Sequence, residues 1–257
     1  MEILDEVRRF WNDDAAGYDK SPGHRPLGAE RAAWVASLVR LLPPPPARVL
    51  DVGAGTGFLS LLAAGLGHRV TALDISPGML EVLTARAREE GLPVEAVEGS
   101  ADSPPPGPFD AVMERHLVWT LPHPLETLRA WREVAPAGTL VLFESSWGVG
   151  AGTAAAARRR LREALRQMRG VPPDHHAPYP SAVRSALPLG SGTPPAKLLD
   201  LTERAGWGSA RLERLRDVEW AASAALPLPE RLLGTAPRFV IAADASRPAA
   251  GGHGLSR

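Results

Sequence analysis

The stretch that most limits what this chain can fold into is Val49-Leu50-Asp51-Val52-Gly53-Ala54-Gly55-Thr56-Gly57. It is a short apolar run ending in three glycines at alternate positions, directly ahead of a helical pattern. Glycine has no Cβ, so a strand-to-helix turn of this kind lets a ligand approach the backbone closely. The dinucleotide fingerprint needs its third glycine three residues after the second, and that position is Phe58. Asp51 stands two residues ahead of the first glycine. A carboxylate there opposes a pyrophosphate and suits a ligand with positive charge and no phosphate. Asp74 closes the next apolar run, 23 residues after Asp51, where an acid can accept two hydrogen bonds from ribose hydroxyls.

Around this turn, strand and helix patterns alternate. Strands are expected at Arg48–Val52, Arg69–Leu73, Val94–Val97, Phe109–Met113 and Leu140–Phe143, with helices at Phe58–Leu66, Pro77–Glu90 and Leu125–Val134 between them. Pro77 opens its helix and Gly91 follows it, the usual asymmetry of helix ends. A further helix is expected near Ala196–Ala205, and strands at Arg211–Val218 and Phe239–Ala242 bring the count to seven. This order implies a parallel sheet with helices on both faces. Ahead of it, Leu4, Val7, Trp11 and Tyr18 mark an amphipathic helix over 2–16, and a second helix is expected at 27–42. Pro43-Pro44-Pro45-Pro46 ends the latter. Residues 246–257 read as a disordered tail.

Bulk composition removes several function classes. With no cysteine, disulfides, thiolate metal sites and thiol nucleophiles are excluded. A formal net charge of +0 argues against nucleic acid as a partner. No apolar run approaches a membrane span, and the acidic start Met1-Glu2-Ile3-Leu4-Asp5-Glu6 does not read as a signal peptide, so a cytoplasmic protein is expected. The preference for Arg over Lys, with abundant Ala, Pro and Gly, points to a GC-rich bacterial genome.

Asp51 to Gly57, Asp74 and the run Trp131-Arg132-Glu133-Val134-Ala135-Pro136-Ala137-Gly138-Thr139-Leu140 together resemble class I methyltransferases that use S-adenosylmethionine (SAM), and most nearly the bacterial small-molecule group that includes the ubiquinone and menaquinone methyltransferases. The likeness covers residues 45–145, with weaker extensions at Phe10-Trp11, Tyr18-Asp19 and Ala205-Gly206-Trp207. It implies an α/β, Rossmann-like, seven-stranded, mostly parallel sheet with a helical lid. Residues 1–44 would form that lid, residues 45–245 the SAM-binding domain, and residues 151–195 a substrate-lid insertion. Carried over by position, Asp51 and Gly53 would hold the methionine amino group, while Gly55 and Gly57 would permit close backbone approach. Asp74 would bind the ribose. Ile75 and Met79 would pack on the adenine, with Ser100 and Ala101 at its edge. Tyr18 would close over the cofactor. The family usually has Gly-Asp-Ala where this chain has Gly99-Ser100-Ala101; Asp102 is the nearby substitute.

Ligands of open parallel sheets sit at the C-terminal strand ends. The fourth strand runs into Glu114-Arg115-His116-Leu117-Val118-Trp119, beside which the methyl group would lie. His116 is the candidate base, its alternative role being structural. Arg115 either orients an acidic substrate, contacts the cofactor or pairs with Glu114. His24, Trp119, His175, His176 and Tyr179 are substrate-pocket candidates. Adjacent histidines beside only Asp174 lack metal-ligand spacing, so no metal is expected. In the helix 154–169, Arg158, Arg162, Arg166 and Arg169 form a stripe, read as a solvated face or an anion-attracting rim. Leu161, Leu165 and Met168 are expected on its core side. The resulting reading is methyl transfer to an N, O or C atom of a small molecule by a monomer or homodimer. Its alternatives are a tRNA or protein methyltransferase and a non-catalytic SAM- or nucleotide-binding protein.

Overall fold

A computed structural model describes residues 2–20, 24–146, 152–168, 179, 181–208 and 210–245. His175, His176 and the expected tail at 246–257 lie outside the described residues. Seven strands form one sheet: β1 (Arg48–Val52), β2 (Arg69–Asp74), β3 (Val94–Glu98), β4 (Ala111–Arg115), β5 (Thr139–Ser145), β6 (Arg211–Arg214) and β7 (Arg238–Asp244). Their order is β3-β2-β1-β4-β5-β7-β6. Strands β1 to β5 pair in parallel, and β7 runs antiparallel to both β5 and β6. The order reverses between β1 and β4, which opens a crevice at their C-terminal ends.

Alternation along the strands sorts the core into two layers, because successive side chains leave opposite faces. Leu50, Val52, Val112, Leu140, Leu142 and Ile241 face one layer. It is covered by α5 (Pro124–Val134) and α8 (Pro195–Arg204), which supply Leu128, Trp131, Leu198 and Leu201. Val49, Ala111, Met113, Val141, Phe143 and Val240 face the other. It is covered by α2 (Gly28–Leu41), α3 (Phe58–Gly65) and α9 (Arg216–Ala224). Helix α4 (Pro77–Glu89) packs Leu80 and Leu83 onto Ala72.

Helix α1 (Glu2–Tyr18) lies against α4 rather than over the sheet. Gly78 is what admits it: a Cβ there would meet Asn12 Oδ1 at 2.9 Å. The N–H of Gly78 instead donates to that same oxygen. Of residues 1–44, α1 and His24 just beyond it reach the crevice. Helix α2 belongs to the core, with Trp34 and Leu38 buried under the sheet. Helices α6 (Gly152–Met168) and α7 (Ser181–Ala186) fall in the expected 151–195 insertion, and α7 packs Val183 against Val7 of α1. A short helix α10 (Leu228–Leu232) precedes β7.

Three expectations need correction. The sixth strand stops at Arg214, and the remainder of the expected 211–218 run turns into α9. Leu215, Val218 and Ala221 recur every three residues, a helical spacing, and all three are buried. The fourth strand runs two residues later than expected, over 111–115, which makes His116 the first residue beyond it. In α6, Leu161 and Met168 are 51% and 78% exposed, so the apolar stripe does not seat on the core. Arg162 donates to the carbonyl of Gly234, a tether rather than a free rim charge. Among the described residues no helix is long and apolar enough to cross a membrane.

Candidate active site

The glycine turn is held from within. The N–H groups of Gly53 and Ala54 donate to the carbonyl of Leu73, that of Gly57 to Ala54, and that of Gly55 to Oδ2 of Asp74 at 2.8 Å. Four of the turn's donors are thus engaged by protein, where a phosphate loop would aim them at the ligand. Gly53 and Gly55 adopt φ of +66° and +54°, open to glycine at little cost. A Cβ on Gly53 would also stand 2.8 Å from the Leu117 side chain.

Asp74 lies at the end of β2, and its other oxygen accepts from the N–H of Ser76 at 2.8 Å. Burial raises its pKa against the pull of these backbone donors. It lines a cavity of about 290 Å³ together with Gly53, Gly55, Ile75 and Met79. Ser100, Ala101 and Asp102 complete that end. The turn that carries them is fixed by Trp131, whose indole N–H donates to the Ala101 carbonyl at 2.7 Å.

The cavity's other end is formed by α1 and the segment after β4. Tyr18, His24, Arg115, His116 and Trp119 line it, beneath Leu4, Val7 and Trp11. Tyr18 stacks on His24, centroids 4.0 Å apart, and meets Trp11 edge-on. Tyr179 bridges the roof and the wall, with its ring 4.6 Å from Phe10 and 5.0 Å from Trp119. The roof is clamped by Asp19, which accepts a 2.6 Å hydrogen bond from Thr56 Oγ1 and pairs with Arg86 at 3.1 Å.

Two expected cofactor residues do not face the cavity. Asp51 is 2% exposed and points from β1 towards α3, where Oδ2 accepts from the Ser60 hydroxyl at 2.6 Å. Burial, opposed by these Ser60 hydrogen bonds, pushes its carboxyl up to about 7. The physical reason is strand alternation: Asp51 shares its face with Val49, opposite Leu50 and Val52. Gly57 serves packing, since a Cβ there would meet Leu83 at 2.9 Å.

Glu114 and Arg115 leave β4 on opposite faces, so they diverge rather than pair. The Arg115 guanidinium sits 3.8 Å from the Phe58 ring centroid, and burial lowers its pKa. Glu114 is fully buried and accepts from the N–H of Leu117 at 2.8 Å, which shapes the turn that carries His116. Burial first, and then the charge of Glu144, hold its carboxyl well above the usual range. His116 has a φ of +59°, the one positive value at a non-glycine among the described residues. Its Nδ1 lies 3.3 Å from Oε2 of Glu144. Burial lowers the imidazole pKa more than this carboxylate raises it, so His116 is a neutral base at pH 7. Glu144 lies in no quoted motif; Thr56 and Glu114 stand inside quoted runs that gave them no contact of this kind, and the Tyr18-Asp19 pairing hinted at Asp19.

Among the described residues no group of three His, Asp or Glu could hold a metal ion. A family model described as a methyltransferase domain matches residues 49–138. The ubiquinone biosynthesis O-methyltransferase of Xanthomonas campestris pv. campestris (strain B100) is 40% identical over 141 residues, or 53% of this chain and 56% of that protein. The match thus spans little more than half of the relative's length. The fold is that of known methyltransferases. A Haemonchus contortus phosphoethanolamine N-methyltransferase 2, solved with S-adenosylhomocysteine, matches 96% of this chain and 61% of its own at TM-score 0.63 and 16% identity. The geranyl diphosphate C-methyltransferase of Streptomyces coelicolor A3(2), also solved with S-adenosylhomocysteine, matches 95% and 98% at TM-score 0.61 and 13% identity.

Proposed function

We propose that the chain transfers a methyl group from SAM to a hydroxyl of a small molecule. The observation that carries this is the single cavity joining Asp74 and a glycine turn whose donors are engaged internally to the neutral base His116. Its volume, about 290 Å³, is near the lower end of small-molecule sites (~300–1,000 Å³). The donor set fits the cofactor. Asp74 offers carboxylate lone pairs to ribose hydroxyls, and Ile75, Met79 and Ala101 offer apolar walls to an adenine. Ser100 and Asp102 would hold that ring's edge, while Gly53 and Gly55 would let the methionine end approach the backbone. An inorganic or nucleotide phosphate finds no free donor nest at these four amides.

When bound, SAM supplies the methyl carbon: the acceptor oxygen bonds to it as the carbon–sulfur bond breaks and its electron pair passes to sulfur, leaving S-adenosylhomocysteine. The chain's own part is to position the acceptor and exclude water. Helix α1 roofs the cavity as a lid, and Trp11, Tyr18 and Trp119 present flat apolar surface to an acceptor. His116 takes the hydroxyl proton, which a neutral imidazole can do and an imidazolium cannot. The relatives' printed name, O-methyltransferase, supports a hydroxyl over an amine or carbon.

Two measurements test the reading. Calorimetric titration with S-adenosylhomocysteine is expected to show one site; no binding, or equal binding of NAD, would overturn it. Transfer of labelled methyl from SAM into a bacterial metabolite extract is expected to yield an O-methyl product, and His116→Ala to cut that transfer ~10²-fold or more with unchanged cofactor affinity. An N-methyl product, or wild-type transfer by the variant, would remove His116 as base.

A further inference from the structure

The turn after β4 carries the described chain's one non-glycine residue with positive φ, a conformation that L side chains rarely adopt. It delivers the His116 ring to two surroundings at once. One side lines the cavity, and the side chain keeps 32% of its surface exposed. The other meets Glu144, whose side chain is fully buried at the end of β5. A carboxylate placed so deep demands compensation, and its Oε2 receives it from two directions. His116 Nδ1 lies at 3.3 Å and the Thr193 hydroxyl donates at 3.4 Å. Thr193 is itself buried and also reaches the Ser145 carbonyl, so it ties the segment ahead of α8 to this corner.

We propose that Glu144 is a positioning residue: it accepts the Nδ1–H of His116, fixes the tautomer whose Nε2 lone pair is free towards the cavity, and stabilises the imidazolium formed when that nitrogen takes a proton. Glu114 supports the arrangement from the same sheet face. Burial, and then the neighbouring charge of Glu144, raise its carboxyl pKa well above the usual range. The charged groups facing the imidazole are Glu144 from β5, Arg115 from β4 and Arg238 from β7, with Glu114 beside Glu144 on the same sheet face. The two arginines disfavour an imidazolium, so without Glu144 the ring would lose its only favourable charge among these. In the transfer step the acceptor's proton moves to Nε2 as its oxygen bonds to carbon. That proton then leaves to solvent, and the histidine returns to its starting tautomer.

The inference rests on the proposed base role of His116, but its test does not need the acceptor. In protein labelled with ¹⁵N-histidine, with His116 assigned by His116→Gln, nitrogen chemical shifts report tautomer and titration directly. The expected result is the Nδ1–H tautomer, titrating below the ordinary histidine value. Glu144→Gln keeps an acceptor but removes the charge, so the proton affinity of His116 should drop a further ~10-fold with the tautomer retained. Glu144→Asp should recover part of it. A merely structural glutamate would leave that titration unmoved. An Nε2–H tautomer in the wild-type protein, or an unchanged midpoint in Glu144→Gln, overturns the proposal. If Glu144→Gln fails to fold, the wild-type tautomer still decides. S-adenosylhomocysteine calorimetry on the same samples separates the two readings: lost binding in wild-type protein sinks the function, while the histidine signals alone sink or sustain the dyad.

Discussion

Asp51 offers the sharpest quantitative test, because the fold places a glycine-motif carboxylate away from the cavity. Its side chain is enclosed between β1 and α3, with the Ser60 hydroxyl on Oδ2. Moving its pKa from 3.8 to about 7 corresponds to ~4 kcal/mol that ionised Asp51 costs the fold relative to its protonated form. The folded state holds this proton to higher pH than the unfolded chain. It therefore binds more protons between about pH 4 and 7, and the stability from the protonated carboxyl is lost as pH rises through that window. Asp51→Asn removes the titration but keeps an acceptor for Ser60. Urea unfolding of both proteins from pH 4.5 to 8 should show the variant gaining on the wild type by ~3 kcal/mol across the range, and levelling above pH 7.5. The difference between the two proteins cancels other titrating groups. A difference flat with pH would refute a carboxyl whose burial outweighs its Ser60 hydrogen bonds.

Two further outcomes follow from the cavity. Asp74→Ala removes an acceptor shared by Gly55 and Ser76, so calorimetry should show S-adenosylhomocysteine affinity falling ~30-fold or more, with a stability loss of ~1–3 kcal/mol by urea unfolding; unchanged affinity would remove Asp74 from the site. Asp19→Ala cuts the tie between α1 and the glycine turn, so stopped-flow should find S-adenosylhomocysteine leaving ~10-fold faster; an identical rate would dismiss α1 as a lid.

Legibility of the site differed residue by residue. That Asp74, Ile75 and Met79 line the cavity is readable from the chain, because a strand end followed by a Pro-led helix fixes where each side chain goes. Asp51 was misread, because the motif alone does not reveal which sheet face a strand residue takes; one step of alternation moved it from ligand to helix support. The 211–218 run reads as one strand on its apolar content, although Leu212, Leu215 and Val218 stand three apart, a helical spacing. Of the roles open to Arg115, pairing with Glu114 is the one the fold removes, because neighbours on a strand point apart.

By itself, the sequence determined the alternating α/β class, the glycine turn and the acid that closes β2, because these depend on spacing within some thirty residues and on backbone rules that act locally. Tertiary structure alone decided the rest. The His116–Glu144 contact joins residues 28 apart, the Asp19–Thr56 clamp residues 37 apart and the Thr193–Glu144 bond residues 49 apart. Such pairs leave no periodic trace, since they arise only when the sheet order brings distant strand ends to one crevice. The same holds for protonation: the direction in which Asp51, Glu114 and His116 shift is set by burial and by which charges become neighbours, neither of which a linear chain displays.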